Sequence, residues 1–354
     1  MSQGSVESRV RKVVACTLGR AEDELPRDAK IKQTEGWDSL THVQLMVALE
    51  KEFGVDIDGE AILKLTSLER MIRHFQKASS EKGTLSTSLP VAATAGDSRT
   101  TLDLSQFVES LGARLPELGI QPGDLLLLHS FLGSLLADRH SVDTVCEKLV
   151  EVLLEALGPH GTLVLPTFTN VFTRGGVLDR DHTPSDMGIL TEYFRAFPGV
   201  RHTRHPCHRF SALGPHADEL VDSDCPSAFG PGSPIHVMHR LGGKILLFSV
   251  DWETSTFLHY VEEQFEVPYR YYKDLSGTVI GPEGPRQETW QEYAGDLGHG
   301  CEESFNAFGR RVEAAGLCES EWVGPVRLKT FRMDKVFEFT YSALEENVKC
   351  LIGT

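Results

Sequence analysis

The 354-residue chain has no apolar run long enough to cross a bilayer, and its opening "MSQGSVESRVRK" lacks the apolar stretch a secretion signal needs. These two absences predict a cytoplasmic protein with no membrane partner. It also has no basic stripe: its formal charge is −16, which excludes nucleic acid, because neutralising phosphates takes clustered Lys and Arg. Its seven cysteines (Cys16, Cys146, Cys207, Cys225, Cys301, Cys318 and Cys350) are odd in number, scattered and without a CxxC pair. Free thiols in a reducing compartment follow. No internal repeat or heptad seam is visible.

What is present is an ordinary globular composition, 40% hydrophobic and 24% charged, in a length that can bury two cores. Residues 1–78 hold 12 Lys+Arg against 13 Asp+Glu, so nearly all of the negative charge falls on the remainder. An acidic second part suits a cationic small molecule, or solubility alone.

The front reads as a small all-α bundle. Val6, Val10, Val13, Val14 and Leu18 share one helical face; Leu40, Val43, Val47, Leu49 and Phe53 share another. A third helix carries Leu68, Met71, Ile72 and Phe75 behind Ser67, a plausible N-cap. Residues 79–100, "SSEKGTLSTSLPVAATAGDSRT", are rich in Ser, Thr, Ala and Gly and read as a flexible linker. From 101 to 354 short apolar runs alternate with helices: "DLLLLHS", "GTLVLPTF" and "GGKILLFSV" are buried strands. Such alternation predicts an α/β domain with a central sheet covered by helices.

Ser39 lies in Asp38-Ser39-Leu40 after Trp37, where Ser and Asp are also ordinary helix caps. The three helices, with this triplet opening the second and Glu50, Glu52, Asp56 and Asp58 beyond it, resemble an acyl or peptidyl carrier protein. The resemblance implies 4′-phosphopantetheine on Ser39, a phosphopantetheinyl transferase as partner, and acyl-loading enzymes or other biosynthetic carriers upstream. A helix N-terminus favours the phosphate that such attachment leaves behind.

In the second part, "LLLLHSFLGSL", "GTLVLPTFT", "HTPSDMGILTEYFRAFPGVRHTRHPCHRFSALG" and "SPIHVMHRLGGKILLFSVDWETSTFLHYVEE" come in an order that resembles the aminoglycoside 3-N-acetyltransferase family. That resemblance spans 102–343 and implies acyl transfer from a coenzyme A thioester to an amine. A protonated amine needs a base, and a tetrahedral oxyanion needs aimed donors. His259 and Glu262, three apart, share a helical face. The resemblance makes His259 the general base and Glu262 its orienter or an amine contact. A surface histidine with an ion-pair partner is the ordinary alternative.

Asp251, just past a strand, sits where open sheets present ligand groups, and either binds the acceptor, tunes His259 or caps a turn. His129, Ser130, Pro166, Thr167, Met187 and Gly188 line the donor cleft by resemblance, with Thr183 and Pro184 near them. Phe131 stands where the family's HSSL pattern has a second serine. His205, in the family's His-Pro pair, is a supporting cleft residue. His202, His205 and His208 tempt a metal reading, but Pro206 breaks any regular helix and the family needs no metal.

Three functions remain open beside ordinary aminoglycoside resistance with an incidental fused carrier. In the first, the carrier holds the acyl donor for an N-acyltransferase of natural-product biosynthesis acting on a small amine. In the second, an acyl-CoA donor acylates an amino-acyl group held on the carrier. In the third, the second domain is a non-catalytic docking scaffold.

Overall fold

A computed structural model describes residues 5–31, 33–34, 36–37, 39–53, 65–82, 103–133, 135–136, 141–223, 225–295 and 303–353. It divides into two compact units, Met1–Thr101 with Leu132–Ser141, and Leu102–Phe131 with Val142–Thr354. Among the described residues no helix is long and apolar enough to cross a membrane.

The first unit has helices α1 (Val6–Thr17), α2 (Ser39–Phe53) and α3 (Leu68–Lys82). Ser5 caps α1 by accepting from Ser8 N–H at 3.2 Å, and Ser67 caps α3 from Arg70 N–H at 3.3 Å. Val10 and Val14, then Leu45, Met46 and Leu49, then Leu68, Met71 and Phe75 turn inward as their helical spacing requires. Helix α3 runs four residues into the stretch whose composition reads as a linker; 83–100, like Asp38, Asp56 and Asp58, lie outside the described residues. Ser39 is the first residue of α2. Ahead of it Gly36 takes φ +80°, a left-handed value that favours glycine, and turns the chain so that Trp37 is buried. The Trp37 indole N–H donates to His42 Nδ1 at 3.1 Å.

The second unit opens with α4 (Leu104–Arg114), boxed at its start by Asp103 and Gln106. Then follow β1 (Leu125–Ser130), α5 (Val142–Leu157), β2 (Thr162–Pro166), β3 (Leu178–Asp179), α6 (Ile189–Arg195), β4 (Arg201–His202), β5 (Phe210–Leu213), α7 (Ala217–Val221), α8 (Pro234–Arg240) and β6 (Lys244–Phe248). The chain continues through α9 (Thr256–Phe265), β7 (Arg270–Gly281), β8 (Gly284–Gly295), α10 (Phe305–Ala314), β9 (Glu319–Val323), β10 (Val326–Arg332) and α11 (Met333–Glu346).

Seven strands form one sheet in the order β4-β5-β2-β1-β6-β10-β9. Only β2, β1 and β6 run parallel; both flanks are antiparallel, so the sheet is mixed. Leu125–Leu128 of β1 are buried on both faces, each leucine stabilising by about 1.5–3 kcal/mol. Because β2 and β6 flank β1 on opposite sides, the carboxyl end of β1 is a topological switch point, where such sheets open a ligand crevice. A second sheet, β3-β7-β8, is built around a hairpin of two 12-residue strands.

Candidate active site

Helix α9 carries His259 at the switch point. One turn before it, Thr256 Oγ1 lies 3.4 Å from His129 Nε2 at the end of β1. His259 Nδ1 is 2.9 Å from Glu262 Oε2, the contact their spacing predicts. Glu262 is fully buried and also accepts from the Tyr269 hydroxyl at 2.9 Å. The Arg270 guanidinium pairs with it at 2.8 Å and reaches Glu303 Oε1 at 2.6 Å. Burial alone would raise the Glu262 carboxyl, but the bond from His259, the His259 and Arg270 charges and the Tyr269 hydroxyl together hold it below its ordinary value. Burial would lower the Arg270 guanidinium; Glu262 and Glu303 overcome that and raise it.

An ionised carboxylate only accepts hydrogen bonds, so Glu262 selects the Nδ1–H tautomer of His259. Nε2 is left with its lone pair, 4.0 Å from Glu303 Oε2. Arg270 Nη2 donates one N–H to Glu303 and lies 3.1 Å from Nδ1, where its second N–H, a donor only, competes with Glu262 for that nitrogen. Phe229 lies nearly parallel to the imidazole (25°, centroids 6.1 Å), and Phe305 meets it edge-on at 4.9 Å. The arrangement can accept a proton at Nε2 and stabilise the resulting imidazolium through Glu262.

The other sequence-predicted residues are distributed around this centre. His129 is buried, which lowers its imidazole to about 4 and keeps it neutral. Ser130 ends β1 half-buried. Pro166 pairs with Phe210, and the buried Thr167 hydroxyl donates to Arg209 O at 3.2 Å and accepts from Ser211 Oγ at 3.1 Å. Met187 is exposed and Gly188, at φ +122°, starts α6. Asp251 caps the turn after β6: its Oδ1 accepts from Trp252 N–H at 2.8 Å and from Lys329 Nζ at 2.5 Å. Lys329 in turn bridges to Glu313 at 2.7 Å. The Asp251 carboxylate is therefore engaged with Lys329 rather than with His259.

His205 is buried with both ring nitrogens in use. Nδ1 accepts from Cys207 and His208 N–H, and Nε2 bonds Gln291 O on β8 at 3.1 Å, so it knits the Pro206 turn to the hairpin. Burial brings it to about 4. His202 turns aside to Ser211 Oγ at 2.9 Å. Among the described residues no group of three or more His, Cys, Asp or Glu is arranged to hold a metal ion.

Sequence reasoning missed Arg270, Glu303, Tyr269 and Phe229. Arg270 and Glu303 lie 33 residues apart and join only when β7 folds against the segment that precedes α10. Ser249, immediately after β6, was also missed; its φ of +53° is strained for a side-chain-bearing residue, and its N–H is held by Arg327 O at 2.9 Å.

A mixed α/β sheet with a histidine–carboxylate pair at its switch point defines a site suited to acid–base chemistry on a bound ligand. Residues 127–345, more than half of the chain, match the family model of aminoglycoside 3-N-acetyltransferase, and the chain belongs to that family. Residues 8–75 match the phosphopantetheine attachment site model, so the front is a carrier domain. Aminoglycoside N(3)-acetyltransferase IV of Salmonella sp is 33% identical over 163 residues, 44% of this chain and 58% of the relative. The chain thus spans less than two thirds of that curated relative. Among solved structures, apo aminoglycoside acetyltransferase AAC(3)-IVa is 25% identical, with a TM-score of 0.57 over 68% of this chain and 89% of that one. AAC-IIIb, solved as a binary complex with CoASH, shares the fold at 20% identity and a TM-score of 0.59, over 68% and 96%.

Proposed function

We propose that the chain is an N-acyltransferase of small-molecule biosynthesis that forms an amide from a thioester, with the acyl donor held by its own carrier domain. The chemistry rests on the His259–Glu262 pair. An amine held at His259 Nε2 surrenders its proton there as it attacks, Glu262 steadies the imidazolium, and His259 returns the proton to the departing sulfur. Ser39 is the attachment residue in this reading. Its place at the first turn of α2, behind the buried Trp37, fits a phosphate, since the helix start offers unsatisfied N–H groups. When attached, 4′-phosphopantetheine supplies the thiol that bears the acyl group.

The observation that favours a carrier-borne donor is Phe131. It brings no hydroxyl, and its N–H is committed to Phe248 O at 2.9 Å. The donor cleft behind His129 and Ser130 thus has one hydroxyl fewer than the family's pattern for the nucleotide end of coenzyme A, which a tethered donor does not have. A second reading, acyl-CoA acting on an amino-acyl group attached to Ser39, draws on the CoASH complex of AAC-IIIb.

Intact-protein mass spectrometry tests the choice. The phosphopantetheinylated protein is charged with an acyl group and offered amines. Loss of the acyl mass with amide in solution supports the donor reading. Acyl gain from acyl-CoA only after amino-acid loading supports the second. A protein that never accepts phosphopantetheine at Ser39 sinks both, and unchanged transfer in His259→Ala removes the dyad from the chemistry.

A further inference from the structure

The carboxylates around His259 are largely spent. Glu262 and Glu303 both close on the single guanidinium of Arg270, at 2.8 and 2.6 Å. The next carboxyl on α9, Glu263, is 2% exposed and turned away to Ser227 Oγ at 2.5 Å, with the Tyr272 phenol approaching but not completing a bond to its other oxygen. Beyond it only Glu266 is exposed, outside the pocket at the left-handed end of the helix. Two charged carboxylates and one guanidinium leave the described part of the site with about one net negative charge to offer a ligand.

The walls are aromatic. Phe229 and Phe305 pack on the imidazole. Tyr272 follows Arg270 by two residues on β7 and so shares its face of the strand; it is 46% exposed and stacks with its cross-strand partner Tyr293 at 4.9 Å. The Tyr293 hydroxyl is already committed to Val267 O at 2.8 Å and the Tyr272 hydroxyl is turned to Glu263, so this pair presents ring surface rather than donors.

The spacing of the polar groups fits one nitrogen. His259 Nε2 and Glu303 Oε2 are 4.0 Å apart. A nitrogen about 2.8 Å from each, an ordinary charge-assisted hydrogen-bond length, forms the apex of a triangle on that base. A polycation could satisfy one ammonium there, but its others would lose water against aromatic rings and find no further free carboxylate among the described residues of the site.

We propose that the acceptor is a primary amine with a single positive charge on an aromatic or apolar body, its nitrogen held between His259 and Glu303 and its body against Phe229 and Tyr272, and that a polycationic aminoglycoside is a poor acceptor. This rests on the acyltransferase reading above. The bound ammonium first releases one proton to solvent; the transfer then forms one C–N bond and breaks one C–S bond, and the second proton leaves the nitrogen through His259 to the thiolate.

The test uses the full chain, phosphopantetheinylated and acetyl-charged, and in parallel supplied with acetyl-CoA. Aromatic monoamines such as tyramine and benzylamine are compared with sisomicin at physiological salt, by amide formation and by calorimetric binding. At least a tenfold higher kcat/KM and tighter binding for a monoamine are expected. Arg270→Gln, which frees Glu262 and Glu303 together, should shift the ratio toward sisomicin by about tenfold. Sisomicin preferred by the unaltered protein, or no binding by any monoamine, overturns the proposal. Amine binding in the predicted order without any amide would instead overturn the acyltransferase reading and leave this one standing.

Discussion

Replacing Glu262 by Gln is the sharpest test of the dyad, because it changes charge and hydrogen-bond direction while nearly conserving shape. Glu262 is fully buried and receives His259 Nδ1 and the Tyr269 hydroxyl, each at 2.9 Å, with Arg270 paired at 2.8 Å. An amide has one accepting oxygen. If that oxygen keeps the Tyr269 hydroxyl at the Oε1 position, the NH2 group takes the Oε2 position, faces both Arg270 and His259, and forces the proton from Nδ1 to Nε2. The histidine then cannot take the amine's proton. General-base catalysis contributes about 10²–10⁴-fold, so kcat should fall by that factor with little change in KM. Breaking a buried pair costs roughly 3–5 kcal/mol, but Arg270 keeps Glu303 at 2.6 Å, so the fold should survive at the lower end of that range.

The assay is single-turnover amide formation across pH for Glu262→Gln, His259→Ala and the double variant. Because the two residues act as one unit, the double variant should be no slower than His259→Ala alone. A Glu262→Gln protein within about threefold of the unaltered kcat, or a double variant whose losses add, refutes the base-and-orienter reasoning.

Acid should destabilise the second unit in a window set by buried histidines. His129 and His205 are held near 4, below the unfolded value of about 6.5, so the unfolded chain binds more protons and stability is lost as pH falls from about 6.5 to 4. Each contributes up to roughly 3 kcal/mol, opposed above about 4.5 by Glu263, whose carboxyl burial raises; Glu262, held low, adds to the loss from about 4.5 downward. Urea midpoints followed by tryptophan fluorescence should drop from pH 7 to 5, and His129→Gln with His205→Gln should flatten that slope by up to about two protons; an unchanged slope defeats the assignment. Gly309→Ala would place a Cβ 2.0 Å from Trp252 Cγ and should cost at least about 1–3 kcal/mol, read as a Tm lower by several degrees. An unshifted Tm would mean that α10 moves away freely. Gln264 Nε2 donates to the Phe229 carbonyl at 3.0 Å, and the Glu263 carboxylate accepts from Ser227 Oγ, two residues before Phe229, at 2.5 Å. Glu263→Ala should therefore lower kcat about tenfold with Glu263→Gln largely restoring it, since small misplacements near the reacting atoms are costly; equal activity in all three proteins would show that Phe229 needs no such grip.

The three parallel strands were legible because each is buried on both faces and reads as a continuous apolar run: Leu125–Ser130, Thr162–Pro166 and Lys244–Phe248 fall within the predicted segments. Helix α9 and its His259–Glu262 contact were legible for a similar reason, since three-residue spacing is a local property. The β7–β8 hairpin was not, because its strands are exposed or half-buried at all but Leu275 and Val279 and show no two-residue alternation: Arg270–Asp274 includes four exposed positions in succession. Arg270 and Glu303 were hidden for a different reason. Their meaning comes from a tertiary junction, and neither belongs to a spaced motif. Asp251 shows the converse error available to local reasoning. Its position after a strand is that of a ligand group, yet the partner that claims it, Lys329, comes from a strand 78 residues away.

Phe131 carries a kinetic consequence that separates the two donor readings. The missing hydroxyl withdraws about one hydrogen bond from a free donor, worth roughly 0.5–1.5 kcal/mol, or up to about tenfold in affinity. A tethered donor is indifferent to that loss, because a flexible link supplies an effective concentration on the order of millimolar without any added contact. Ser39→Ala, which removes the attachment point, should leave a protein that uses acyl-CoA only with a KM near or above that concentration. Restoring the hydroxyl with Phe131→Ser in the same background should lower this KM severalfold. If Ser39→Ala instead turns over acyl-CoA with a micromolar KM, and Phe131→Ser does not change it, the cleft binds the free donor well. The carrier must then hold the acceptor.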